Sequence, residues 1–162
     1  MQSLYAEPRG VGGWLLFFCV LATIVGPAFF VFFLSADLAR ILANWNGFQL
    51  VPTFRLVNDV GGFGLTAYSI YVGIALWSVK PNAVRTVKTF LIVGLAYNVA
   101  TELACLSLGT SLWFWAPTPT VGTTVVDLVG EGASFAIWFT YFRESKRVKA
   151  TYGSLEPNAA GT

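Results

Sequence analysis

The chain has 162 residues, 56% of them hydrophobic and only 11% charged, with a mean hydropathy of +0.66. An ordinary soluble domain carries roughly 25% charged residues, so the composition excludes a soluble globular chain and defines an integral membrane protein. A net charge of +2 gives no basic balance of the kind that binds nucleic acid, and the absence of histidine excludes Ser-His-Asp triads, Cys-His pairs and His-ligated metal sites.

In chain order, residues 1–10 form a short polar leader. The first apolar span covers 11–34. A signal peptide has an apolar core of roughly 7–15 residues behind a positive leader. This core is longer and its leader has no net side-chain charge, so it reads as a retained membrane helix. Pro27, after Gly26, removes one backbone donor inside the span and predicts a local kink. Residues 35–56 form a connection. Its Asp37, Leu38, Arg40, Ile41, Leu42 and Trp45 have helical spacing, and Asn46-Gly47 and Pro52 are expected to break it.

The second span covers about 59–79 and ends at the turn signal Lys80-Pro81-Asn82. The Gly61-Gly62-Phe63-Gly64 run within it lacks the lysine and preceding strand of a phosphate loop and reads as a close-packing surface. The third span is 87–108. An uncharged loop with Trp113, Phe114, Trp115, Pro117 and Pro119 follows, as expected at the headgroup level. The fourth span is 121–142, and residues 153–162 read as a disordered C-terminal end. Each span is about the length needed to cross a hydrocarbon core of ~30 Å as a helix. The expected fold is all-α: residues 1–152 form one domain, a four-helix transmembrane bundle. Cys19 and Cys105 fall toward opposite ends of such a bundle, which argues against a disulfide.

Basic residues set the orientation. Arg9, Lys80, Arg85, Lys88, Arg143, Lys146, Arg147 and Lys149 lie on one side, and Arg40 and Arg55 on the other. The excess of lysine and arginine on the cytoplasmic side places both termini in the cytoplasm.

Small and polar residues recur at helical spacing within each span: Cys19, Thr23 and Gly26; Gly62, Thr66, Ser69 and Gly73; Gly94, Asn98, Glu102, Cys105 and Gly109; Thr123, Asp127, Gly130, Glu131 and Ser134. Such stripes let helices approach closely in lipid, and all are expected to face inward. Antiparallel packing of the last two spans sets Asn98 level with Glu131, and Glu102 level with Asp127. The expected result is an intramembrane polar cluster of Asn98, Glu102, Asp127 and Glu131, with Asp59 approaching from the second span and Arg40 or Arg55 as a counter-ion. Intramembrane carboxyls are costly to bury. Two readings stay open: a wet, charged cluster that binds a cation or relays protons, and a dry, protonated one that joins helices by hydrogen bonds. Arg143, Lys146, Arg147 and Lys149 in the tail are candidate lipid-headgroup contacts.

Two stretches carry a resemblance. Gly12-Gly13-Trp14-Leu15-Leu16 opens the first span. Tyr141-Phe142-Arg143-Glu144-Ser145-Lys146-Arg147-Val148-Lys149-Ala150-Thr151-Tyr152 closes the last. Together they resemble a family of small bacterial membrane proteins with four predicted transmembrane helices, catalogued as a domain of unknown function. The resemblance implies a multi-pass location in the bacterial inner (cytoplasmic) membrane and supplies no activity. The expected role is a small membrane binding or assembly subunit, not an enzyme, with no cofactor. Its expected partners are the lipid bilayer and another membrane protein or a homo-oligomer, not nucleic acid. The alternative is a cation- or proton-coupled transporter or channel element built on the carboxylate cluster.

Overall fold

A computed structural model describes residues 10–43, 50–111 and 118–153. The expectations placed on residues 1–9, on Trp45 and Asn46-Gly47, on the aromatic residues 113–115 and on residues 154–162 fall outside the described residues, as does the Arg40 side chain.

The described residues are all helical, without strands. They form α1 (Trp14–Ala43), α2 (Leu50–Trp77), α3 (Ala83–Leu108), α4 (Val121–Glu144) and the short α5 (Lys146–Tyr152). Helices α1, α2 and α3 are long and apolar enough to cross a membrane. Helix α4 has the length, but Asp127, Glu131, Arg143 and Glu144 interrupt its apolar run. Many large apolar side chains point outward, including Phe29, Phe32, Val60, Phe63, Ile92, Val126 and Ile137. In lipid, bulky residues gain nothing by turning inward, and this is where they belong.

The distortion expected near Pro27 takes the form of a π turn over Leu21–Val25. An α-helical proline presses its ring on the carbonyl four residues earlier, and a widened turn relieves the clash. The Gly26 N–H skips a residue and bonds to the Leu21 carbonyl. A Cβ at Gly26 would sit 3.0 Å from that same oxygen, so only glycine fits without a shift. The Ala22 carbonyl then loses both helical donors that can reach it, since the Gly26 N–H is taken and Pro27 has none. Helix α2 supplies the replacement: the Ser69 hydroxyl donates to the Ala22 carbonyl at 2.5 Å. Beside this bond Gly73 lies against the Thr23 side chain, where a Cβ would collide. Further along, a Cβ at Gly62 would lie 2.6 Å from the Phe30 ring. Small residues on α2 thus bring α1 in close; of the glycine run at residues 61–64, Gly61 and Gly62 are packing contacts, while Gly64 faces open space.

Pro52 lies within the first turn of α2 and does not break it. There the missing N–H has no helical partner to lose. Helices α2 and α3 end alike. At the end of α3, Gly109 at φ 61 lets the Thr110 N–H reach the Cys105 carbonyl at 3.1 Å. At the end of α2 the same position is Val79 at φ 45, with the Lys80 N–H on the Ala75 carbonyl at 3.0 Å. A β-branched residue there is strained by roughly 1–2 kcal/mol; the Val79 side chain packs on the core in return.

The core is concentrated at the end that holds the α2–α3 turn. It gathers Leu15, Phe18 and Cys19 from α1, Val72, Ala75 and Leu76 from α2, and Ala83, Val84 and Val87 from α3. Phe142 of α4 and Val148 and Tyr152 of α5 complete it. Elsewhere the helices lie as a row, with α4 on α3, α3 on α2 and α2 on α1. Helices α1 and α4 meet through rings at the core end: Phe18 lies 4.8 Å from both Trp138 and Phe142, centroid to centroid, edge to face. All four long helices therefore come together at this end only; at the other end α1, α2 and α3 still pack, burying Asp37, Ile41, Cys105 and Thr110, and α4 lies on α3. Gly94 and Gly130 have open space where a Cβ would stand.

Ser69→Ala leaves a buried carbonyl unsatisfied, a loss of about 1–2 kcal/mol. Thermal unfolding in mild detergent is expected to show the loss for S69A and not for the neighbouring exposed S78A. Equal midpoints for the two would show that the π turn needs no donor from α2.

Candidate functional site

Two polar groupings lie in the half of the molecule away from the core. The first joins α1, α2 and the end of α3. Arg55, one turn into α2, donates from Nη1 to Asp37 Oδ1 of α1 at 2.6 Å, with both side chains largely buried. Its Nη2 donates to Thr110 Oγ1 at 3.3 Å and to the Ser111 carbonyl. One guanidinium thus ties α1 to the C-terminal turn of α3. Asp59, one helical turn further along α2, is close enough to feel both Asp37 and Arg55. Its Oδ2 is buried and, among the described residues, has no hydrogen-bond partner. Next to it the Tyr97 hydroxyl lies 2.7 Å from the Asn58 carbonyl and 2.8 Å from Asn58 Oδ1, and Thr101 Oγ1 donates to Asn58 Oδ1 at 3.1 Å. A Cβ at Gly61 would lie 2.8 Å from the Tyr97 ring, so glycine lets α3 lie this close to α2. Arg55 is therefore the counter-ion of Asp37, not of the α4 carboxyls, and Asp59 belongs to this grouping.

The second grouping lies between α3 and α4 and holds the four residues singled out in the sequence. Asn98 and Glu131 line one cavity of about 230 Å³, together with Phe90, Gly94, Ser134 and Phe135. Glu102 and Asp127 are near enough to repel, and Glu131 feels both. The residues differ in how they are held. Glu131 lies on the packed face of α4, in line with the buried Thr124 and Phe142. Its Oε2 is buried and, among the described residues, has no hydrogen-bond partner; the same is true of Thr124 Oγ1. Asp127 lies on the flank of that face and is exposed. Asn98 shares the inward line of α3 with the buried Val87 and Cys105, yet it is exposed, because nothing fills the space opposite it. No lysine or arginine among the described residues pairs with these acids. Among the described residues, no three His, Cys, Asp or Glu side chains come within range of a shared metal ion. The arrangement is a group of neighbouring acids, of which Glu131 opens with Asn98 and Ser134 onto a cavity otherwise lined by Phe90, Leu91, Gly94, Leu95 and Phe135.

The basic tail is more than a string of surface charges. Ser145 ends α4 in an extended conformation and caps α5, accepting from the Val148 N–H at 3.5 Å. The chain turns back there. Val148 and Tyr152 enter the core, and the Tyr152 hydroxyl donates to the Leu76 carbonyl at 2.7 Å. Burial, with Cys19 and Tyr141 adding to it, pushes the Tyr152 hydroxyl up, so it remains a donor. Thr151 Oγ1 accepts from the Gly10 N–H at 3.1 Å. Arg143 and Lys149 share the exposed Glu144 at 3.0 and 3.5 Å, and Lys146 is exposed. Such exposed pairs contribute little. Arg147 differs: it is half-buried over Gly12 and Gly13.

Sequence reasoning missed the Asp37–Arg55–Thr110 link and the Asn58–Tyr97–Thr101 link. A signal for the first was present: an acid near the end of one apolar helix and a base at the start of the next.

These features define a polytopic helical membrane protein. The chain belongs to a family described as protein of unknown function, DUF2569, whose sequence profile matches residues 8–153. No curated protein and no solved structure matches the chain.

Removing one member of a largely buried ion pair strands the other, at about 3 kcal/mol. Arg55→Gln and Asp37→Asn are each expected to lower the unfolding midpoint, and the double variant to recover part of the loss. Strictly additive losses would mean that the two groups do not act as a pair. Arg55→Gln and Asp127→Asn are expected to be additive.

Proposed function

We propose that the protein is a small assembly subunit of the bacterial inner membrane. In this reading α4 is a fourth span, both termini are cytoplasmic, and the open side of α3 and α4 receives a helix of another membrane protein or of a second copy. The protein acts by binding and not by catalysis. The observation that carries the reading is the exposure of Asn98 and Asp127 beside Gly94 and Gly130, which have nothing against them. Polar groups at mid-span are unstable against hydrocarbon, and vacant glycines are the sites where a second helix approaches closely. An acidic face with no basic residue of its own favours a partner with lysine or arginine at matching depth. The excess of basic residues at the α2–α3 turn and the tail supports the orientation.

A second reading is cation- or proton-coupled transport. The cavity that reaches Asn98 and Glu131 favours it, since transport needs a path to an ionisable group.

Reporter fusions test the topology: a C-terminal alkaline phosphatase is expected to be inactive, and a C-terminal fluorescent protein bright, and the opposite pattern removes the fourth span. A photo-crosslinking residue at Gly130, used in intact cells, is expected to capture a protein. The same residue at the exposed Val60 is expected to capture none. Lipid adducts alone at both positions would refute assembly. Proteoliposome flux that falls at least about tenfold on D127N/E131Q would favour transport.

A further inference from the structure

We infer that the junction of the first and last helices is a binding site for one anionic phospholipid, with its phosphate on Arg147 and an acyl chain along Trp14 and Phe17. This inference stands apart from the assembly reading, which concerns the other half of the molecule.

Arg147 is set apart from the other basic residues of the tail. Arg143 and Lys149 have Glu144. Among the described residues Arg147 has no carboxylate in ion-pair range, although it is half-buried. A guanidinium withdrawn from water without an anion is costly, and one that is partly open to the outside invites an anion from there. Its position is held from below. Arg147 Nη1 lies 2.9 Å from where a Cβ of Gly12 would stand and 3.1 Å from that of Gly13. Phe142 before it and Val148 and Tyr152 after it are buried, which holds α5 against the core. Two glycines thus make room for the guanidinium.

Gly13 is also one wall of a different feature. With Trp14 and Phe17 it lines an open, apolar groove of about 350 Å³. Trp14 is 66% exposed and Phe17 49% exposed, both on the outer surface of α1. The groove begins where the polar leader gives way to the apolar span, the level at which tryptophan meets headgroups. A cation and an apolar trough that meet at one residue match an amphiphile with a phosphate next to its acyl chains. A soluble phosphate would use only the first, and a neutral lipid only the second. Lys146, exposed one residue before Arg147, adds positive charge nearby and favours a lipid with net negative charge over a zwitterionic one.

The test uses the full chain, delipidated in mild detergent and titrated with phosphatidylglycerol or phosphatidylcholine, with retained lipid counted by native mass spectrometry. One phosphatidylglycerol is expected to be retained in preference to phosphatidylcholine. R147Q is expected to weaken that retention about tenfold. G12A leaves every charge in place and is expected to weaken it too, because the Cβ displaces the guanidinium. R143Q and K149Q are expected to change it less than about twofold. Equal retention of the two lipids by the unaltered protein would overturn the site, whether or not the variants fold. Equal losses in R147Q, R143Q and K149Q would also overturn it, by showing a general surface attraction. Displacement of the lipid by millimolar inorganic phosphate would assign the site to free phosphate instead.

Discussion

The closure of the two chain ends over the α2–α3 turn is the contact on which the rest depends. The Leu76 carbonyl accepts from the Tyr152 hydroxyl and also from the Val79 N–H at 3.1 Å. A single oxygen therefore joins the end of α2, a strained turn residue and the last helix. Around it Phe18, Phe142 and Val148 bring α1, α4 and α5 into one core. In lipid no hydrophobic effect draws helices together, so they stay together only where packing is dense and polar groups are paired. This molecule meets both conditions best at one end. Away from it α4 lies on α3, and the cavity of Asn98 and Glu131 runs between those two helices from Phe90 and Leu91 at the edge of the core.

Charge follows the same division. Lys80, Arg85, Lys88 and the basic tail lie at the closed end, while Asp37, Asp59, Glu102, Asp127 and Glu131 lie in the open half with Arg55. Arg55 is used up by Asp37 and the end of α3. Among the described residues the α3–α4 acids are left without a cation of their own. Between the halves, the Ser69–Ala22 bond makes a helix defect into a joint. Proline removes donors from α1, and a hydroxyl on α2 replaces one, so the distortion also sets how the two helices register.

The two stretches that carry the family resemblance meet in space. Gly12 and Gly13 lie under Arg147, and Gly10 donates to Thr151. Their separation along the chain conceals a single structural unit. Gly12 is explained by the guanidinium that occupies the space of its missing side chain, and Gly13 by that same contact together with its own backbone, which enters the helix at φ 58.

Much of this protein follows from its sequence. Composition excluded a soluble chain, and apolar periodicity located the helices. The i,i+4 spacing of Asn98 and Glu102, and of Asp127 and Glu131, sets each pair on one face of its helix. Those inferences rest on local geometry, which the backbone repeats regardless of fold. Tertiary structure decided three other things. It chose which stripes are covered: Gly73 and Gly62 pack on α1, while Gly94 and Gly130 stay open. It paired Arg55 with Asp37, and it turned the basic tail inward through Val148 and Tyr152. Each depends on distances between residues far apart in the chain. Spacing along one helix states which residues share a face, and only the packed structure states what that face meets.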